Sequence, residues 1–153
     1  VLHFDDYSPI EMARIFGWLC EKNHYKLAPG SRAKLMLGLT EVHRARDRHF
    51  GNGRSVRNLF EQAVRRMANR IAEMREISHE ALMLLEAADV AFADLPAGFA
   101  LEVDDNCRFN VTCPECSHVS KAPGSFLGKK VRCRKCEHDF TAEWGEPEAF
   151  HSS

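Results

Sequence analysis

Apolar positions recur at the spacing of a helix face through the first part of the chain and lose that spacing toward the C-terminus. After Ser8-Pro9-Ile10-Glu11, which offers a side-chain cap, a proline at the first helical position and a glutamate to close a capping box, Met12, Ile15, Phe16, Leu19 and Cys20 fall on one face. This predicts a helix from Pro9 to Lys22. A turn region, Asn23 to Gly30, precedes a second helix over Pro29 to Asp47, with Leu35, Leu39 and Val42 inward and charges such as Arg32, Glu41 and Arg44 elsewhere. Gly38 weakens that helix slightly. The clearest stripe follows Asn52, a candidate cap: Val56, Leu59, Phe60, Ala63, Val64, Met67, Ile71 and Met74 predict a third helix ending at Ala72 or Met74. Ser78 can cap a fourth, with Glu80 in its first turn and Leu82, Leu85 and Val90 on its apolar face before Pro96.

Beyond Pro96-Ala97-Gly98 and the acidic Glu102, Asp104 and Asp105, the pattern changes to short β-prone pieces: Arg108 to Thr112, His118 to Lys121, Lys130 to Arg132 and Asp139 to Ala142, with Ala122 to Gly128 as a long loop. The expected fold is mainly α, a four-helix bundle followed by a small β ribbon. Its expected divisions are a helical domain over 1–96, a linker over 97–106, a ribbon over 107–145 and a flexible tail over 146–153.

Composition adds little beyond class. With 153 residues, 44% of them hydrophobic, and a formal charge of −1 from 21 basic and 22 acidic side chains, the chain reads as a soluble protein and not a polyion. The densest apolar run, Ala81 to Leu85, stops at Glu86, far short of the roughly 20 residues a membrane helix needs. No membrane contact is expected. The N-terminus, VLHFDDYSPIEM, has no basic n-region followed by an apolar h-region, so a cytoplasmic location is expected; its lack of an initial methionine fits a fragment or processed chain.

The cysteines carry the chemistry. Cys113 and Cys116 in CPEC, and Cys133 and Cys136 in CRKC, form two C-x2-C pairs separated by sixteen residues. Each pair lets one tight turn present two thiolates to one ion, and the spacing matches a zinc ribbon. Four thiolates leave no open position for a reacting water, so zinc here is structural. Two disulfides would suit an exported chain, and a redox C-x2-C would open a helix in a βαβ unit; neither context is present. A ribbon of this size rarely folds unaided, so the metal would supply its stability and chelation would melt it. His138 is the one histidine positioned as a substitute ligand, and four cysteines make it unnecessary. Cys20, among Ile15, Phe16 and Leu19, reads as a small core residue; Cys107 fits no metal spacing.

No G-x4-GK[ST] phosphate loop is present, nor a hydrophobic strand ending in an acidic pair for Mg²⁺, nor GxSxG or HExxH. The chain alone is not expected to hydrolyse ATP.

One phrase in the helical part is specific. His49-Phe50-Gly51-Asn52-Gly53-Arg54-Ser55-Val56-Arg57-Asn58-Leu59-Phe60-Glu61 resembles sensor 2 of the AAA+ ATPases, in the CbxX/CfxQ and stage V sporulation protein K branch, where the small lid domain carries a phrase close to FGNAR-x-VRN-LFE. Tyr7-Ser8-Pro9-Ile10-Glu11-Met12 is similar to the opening of that lid, and Ile77-Ser78-His79-Glu80-Ala81-Leu82 with Ala88-Asp89-Val90 to its close. The resemblance covers residues 2 to 92. It implies a helical lid in which Arg54 is the sensor 2 arginine, reaching toward the terminal phosphates of ATP. A guanidinium in the first turn of a helix, beside unpaired N–H groups and the positive dipole end, suits phosphate oxygens. Gly53 stands where the family often has alanine. Arg57 reads as a surface charge pairing Glu61.

The cysteine segment is similar in turn to the small ribbons with CPxC, a GKKVRC phrase (Gly128 to Cys133) and a second CxxC ending near Phe140. Those ribbons commonly place glycine after the second cysteine of each knuckle; this chain has Ser117 and Glu137. Lys121, Lys129, Lys130, Arg132, Arg134 and Lys135 make the segment locally basic. The resemblances imply a C-terminal part of an AAA+ ATPase, with ATP and Mg²⁺ in the parent protein, zinc in the ribbon, and the AAA+ core, neighbouring subunits and a protein substrate or adaptor as partners. The alternative is a stand-alone zinc-binding adaptor or nucleic-acid-binding module. A nearly neutral charge and no aromatics interleaved with the basic residues argue against nucleic acid.

Overall fold

The structure is a computed structural model and describes residues 7–45, 53–92 and 107–148. Three α-helices lie among them: α1 (Pro9–Lys22), α2 (Pro29–Ala45) and α3 (Gly53–Ala72). The predicted capping box starts α1, with Glu11 N–H donating to Ser8 Oγ at 3.2 Å and Ser8 N–H to Glu11 Oε1 at 3.0 Å. The predicted faces are buried: Met12, Phe16 and Leu19 of α1, Leu35, Leu39 and Val42 of α2, and Val56, Leu59, Phe60, Ala63, Met67 and Ile71 of α3. Phe60 is the hub, meeting Phe16 edge-on at 5.6 Å between centroids and Tyr25 at 6.0 Å. Met74 lies past the end of α3 and is exposed. Asn52, the expected cap, and the linker over 97–106 lie outside the described residues.

The fourth helix does not form. Its segment folds as two 3-10 turns, Ala81–Met83 and Ala87–Asp89, flanking β2 (Leu84–Leu85), which pairs in parallel with β1 (Lys26–Leu27) from the expected turn region. The reason is competition for backbone acceptors. Leu84 carbonyl takes a bond from Arg70 Nη2, Leu85 carbonyl from Ala28 N–H and the buried Ser31 hydroxyl, and Ala87 carbonyl from Lys34 Nζ. Those partners from α2, α3 and the Ala28 junction hold the segment extended, and the periodicity of Leu82, Leu85 and Val90 carries no sign of them.

The C-terminal part is built from β3 (Arg108–Thr112), β4 (Val119–Pro123), β5 (Lys130–Arg132), β6 (Asp139–Thr141) and β7 (Glu146–Pro147). β3 and β4 form one antiparallel hairpin, Phe109 opposite Ala122; β5 and β6 form a second, Val131 opposite Phe140. A 3-10 turn, Gly124–Phe126, occupies the expected long loop. The segment from Glu146, expected as a tail, adds β7 to the other edge of β3, with Asn110 opposite Glu146, and Glu148 N–H donates to the Arg108 carbonyl at 2.8 Å. Pairing that edge removes an exposed row of backbone groups.

α2 packs against α1 on one side and against the ribbon on another. Its Ala33, Leu35, Met36, Leu37 and Leu39 are all buried, and one contiguous core joins them to Phe109, Val111, Ala122 and Leu127 of the ribbon. An apolar surface wider than one face is a surface covered from more than one direction. Arg32, expected to face outward, marks the junction. Its guanidinium stacks over the Trp144 ring at 4.7 Å and donates from Nη1 to the Glu143 carbonyl at 2.9 Å. A methyl placed on Gly17 of α1 would lie 3.3 Å from the same indole.

Candidate metal centre and lid surface

The two C-x2-C turns are near copies. In the first, Cys113 N–H donates to the His118 carbonyl at 2.9 Å and Ser117 N–H to the Cys113 carbonyl at 3.0 Å; in the second, Cys133 N–H donates to His138 and Glu137 N–H to Cys133 at the same lengths. Closing each turn requires a left-handed residue after the second cysteine. Ser117 (φ 61°) and Glu137 (φ 62°) adopt that conformation despite their side chains. These are the two positions where similar ribbons carry glycine.

The four Sγ atoms lie within 4.8 Å of one another, with Cys113–Cys136 at 3.6 Å and Cys116–Cys133 at 3.5 Å. Both separations exceed a disulfide bond of about 2.05 Å. They approach the edge of about 3.8 Å of a sulfur tetrahedron around an ion with bonds near 2.3 Å. The residues fit a closed four-thiolate site, and His138 lies outside the group. Cys113 and Cys133 are buried, whereas Cys116 is half-buried and Cys136 exposed.

The electrostatics also ask for a cation. The Cys133 thiol is pulled down to about 6, first by the Cys136 N–H and further by that of Lys135 and by neighbouring sulfurs. At Cys136 the His138 N–H lowers the pKa, but loss of solvent and the other three sulfurs outweigh it and push the thiol up to about 12. Crowded sulfurs cannot all ionise without a positive charge among them, and a dication supplies it. Cys20 is separate: it is buried on the inner face of α1 and its thiol is pushed up to about 12 by desolvation, which makes it the inert core residue the pattern predicts.

Arg54 is the second residue of α3 and is exposed; Arg57, one turn on, is exposed as well. His49 to Asn52, the start of the phrase that singles out Arg54, lie outside the described residues. Sequence reasoning missed the Arg32–Trp144 junction and the clasp of Arg70 on Asp89, in which Nε and Nη2 reach the two carboxylate oxygens at 3.1 and 2.8 Å. Neither pair is local in sequence. The available signal was the consecutive apolar run Leu35-Met36-Leu37 with Ala33 and Leu39, too wide for a single buried face of α2.

Fold and site together define a helical lid-type domain to which a tetracysteine ribbon is packed. The family model described as the AAA lid domain matches residues 8–98, more than half of the chain, and the chain belongs to that family. Among curated proteins it is similar to Protein CbbX of Cereibacter sphaeroides, 35% identical over 72 residues that make up 46% of this chain and 22% of the relative. It is similar also to the CfxQ homolog of Galdieria sulphuraria, 31% identical over 94 residues (60% and 30%), and to the chloroplastic ribulose bisphosphate carboxylase/oxygenase activase of Cyanidioschyzon merolae, 31% identical over 91 (58% and 30%). The chain thus spans less than a third of the length of each of these relatives. None of the described helices is long and apolar enough to cross a membrane.

Proposed function

We propose that this chain is the C-terminal part of an AAA+ ATPase of the CbbX/CfxQ type: residues 1–96 form the nucleotide-sensing lid, 97–106 a linker, and 107–148 a zinc ribbon that docks a partner or substrate. The parent binds ATP and Mg²⁺ through its core, assembles with neighbouring subunits through core and lid, and couples hydrolysis to the remodelling of a protein in the cytoplasm. Zinc, held by Cys113, Cys116, Cys133 and Cys136, is structural, since four thiolates fill the tetrahedron.

One observation carries the nucleotide-sensing part. Arg54 stands exposed in the first turn of α3, the helix whose inner face is locked into the lid by Val56, Leu59 and Phe60. A guanidinium in the first turn of a helix, beside the positive end of its dipole, is suited to the terminal phosphates of a nucleotide. A charge-assisted bond of this kind is worth about 1.5–3 kcal/mol, a factor of roughly 10 to 150. In the full-length parent protein, Arg54→Ala is therefore expected to lower ATP turnover by at least about tenfold, with helical content and zinc content unchanged. Unaltered turnover would overturn the assignment.

A further inference from the structure

We propose that the cleft between the two ribbon hairpins binds an acidic peptide segment carrying one apolar anchor residue; this deepens the docking role just assigned to the ribbon and rests on it. The cleft lies where the β3–β4 hairpin faces the β5–β6 hairpin and holds about 290 Å³. Val111, Ala122, Val131 and Phe140 give it an apolar floor, and Phe126, 46% exposed, sits among the lining residues. An exposed ring on a cleft with an apolar floor is the arrangement that receives a hydrophobic side chain.

The charges are segregated. The described ribbon, residues 107–148, carries seven Lys or Arg and six Asp or Glu, close to neutral. Four of the cations, Lys121, Lys130, Arg132 and Arg134, line the cleft; none of the six carboxylate residues does. Lys121 and Arg132 also meet Glu148 and Asp139, in exposed pairs that contribute little and exchange readily for a ligand carboxylate. Cys113 and Cys133 form part of the wall, and a zinc–tetrathiolate carries two negative charges, fewer than the four cations that line the same space. The balance favours an anion.

Size and net charge decide which anion. Affinity for nucleic acid grows with the number of phosphates neutralised and with successive stacking platforms. The ribbon is nearly neutral, and its cleft is only large enough for one or two side chains. A short acidic peptide with a single Leu or Phe satisfies both the floor and the cations.

The test uses the zinc-loaded 153-residue chain and fluorescence anisotropy in physiological salt, with no nucleotide present. The probes are a dye-labelled peptide of four Asp and Glu residues around a central Ala-Phe pair, the same peptide with Ala-Ala at its centre, the same peptide with Lys in place of its acids, and a thymidine oligonucleotide. Expected is saturable binding of the first probe alone, weakened at least tenfold by Lys130→Glu with Arg134→Glu and severalfold by Phe126→Ala. Glu115→Lys, a ribbon charge outside the cleft, should not weaken it. Native mass spectrometry of each variant must show retained zinc, so that lost binding reports the cleft and not unfolding. Equal binding of the Ala-Ala probe, tighter binding of the oligonucleotide, indifference to the cleft variants, or no peptide binding up to millimolar concentration each overturns the proposal. Because nucleotide is absent, such a failure leaves the Arg54 assignment standing, and unaltered turnover in Arg54→Ala leaves the cleft standing.

Discussion

Arg70, near the end of α3, grips both carboxylate oxygens of Asp89 and ties the closing segment of the lid to its longest helix. Asp89 is 2% exposed, and its Oδ2 also accepts the Glu86 N–H at 2.9 Å. Arg70 sends a further bond to the Leu84 carbonyl. The hydrogen bonds that Arg70 donates to Asp89 hold its guanidinium above the ordinary arginine pKa. Fork-to-fork geometry makes this the strongest kind of ion pair available to a protein.

Removing either partner leaves the other without its match. Arg70→Ala strands a buried carboxylate and is expected to destabilise by about 3 kcal/mol; Asp89→Ala, which also frees the Glu86 N–H, by about 2–4 kcal/mol. Urea unfolding followed by far-ultraviolet circular dichroism measures both. A loss below 1 kcal/mol in both variants would mean that the clasp does not hold the segment.

Gly38 sits in the middle of α2, where helix propensity alone makes Ala better by about 1 kcal/mol. Packing reverses the sign. A Cβ at this position would lie 2.0 Å from Cε2 of the Phe92 ring. Phe92 is a half-buried ring packed on the core, so relief requires moving it off the helix. Gly38→Ala is expected to lower stability by about 1–3 kcal/mol, the usual cost of overpacking. Gly38→Ala with Phe92→Leu should recover part of the loss, because the smaller side chain clears the new methyl. A stabilised single variant would sink the account.

The three helices were legible because their information is local. Ser8, Pro9 and Glu11 set the start of α1, and Val56 through Ile71 repeat at one helical period. The clustering of the four cysteines was legible for the same reason, two short turns with the thiols at fixed offsets. What was lost is long-range. Leu84 and Leu85 are strand residues only because Arg70, Ser31 and Ala28 claim their carbonyls, and Glu146 and Pro147 become a strand only because β3 offers an open edge. Arg32 falls off the inward face of α2 in the sequence pattern, and no window around it contains a hint of Trp144.

Ser117 and Glu137 hold left-handed backbone at a cost of roughly 1 kcal/mol each relative to glycine. Ser117→Gly and Glu137→Gly are therefore expected to stabilise the metal-loaded ribbon by about 0.5–1 kcal/mol apiece, partly offset by the greater freedom glycine gives the unfolded chain. The two sites lie on different knuckles and should add. Competition with a chelator, read as the chelator concentration needed to remove half the zinc, would show the gain; an unchanged or lowered midpoint in both variants would contradict it.

Metal removal should reach beyond the ribbon. Phe109 and Leu127 are 0% and 1% exposed and belong to the same core as Leu35, Met36 and Leu39 of α2. If chelation unfolds the ribbon, α2 loses that cover. Burial of each large side chain contributes about 1.5–3 kcal/mol, so the helical part forfeits roughly 3–6 kcal/mol, equivalent to a fall of roughly 10–50 °C in its melting temperature. The Arg32–Trp144 stack opens in the same event, which shifts the tryptophan emission. Circular dichroism at the helical minimum should show one cooperative melt with zinc bound and an earlier one after chelation. Trp144→Ala removes one clasp and should narrow the gap between the two states without removing it. A helical melt indifferent to metal would show that lid and ribbon fold independently.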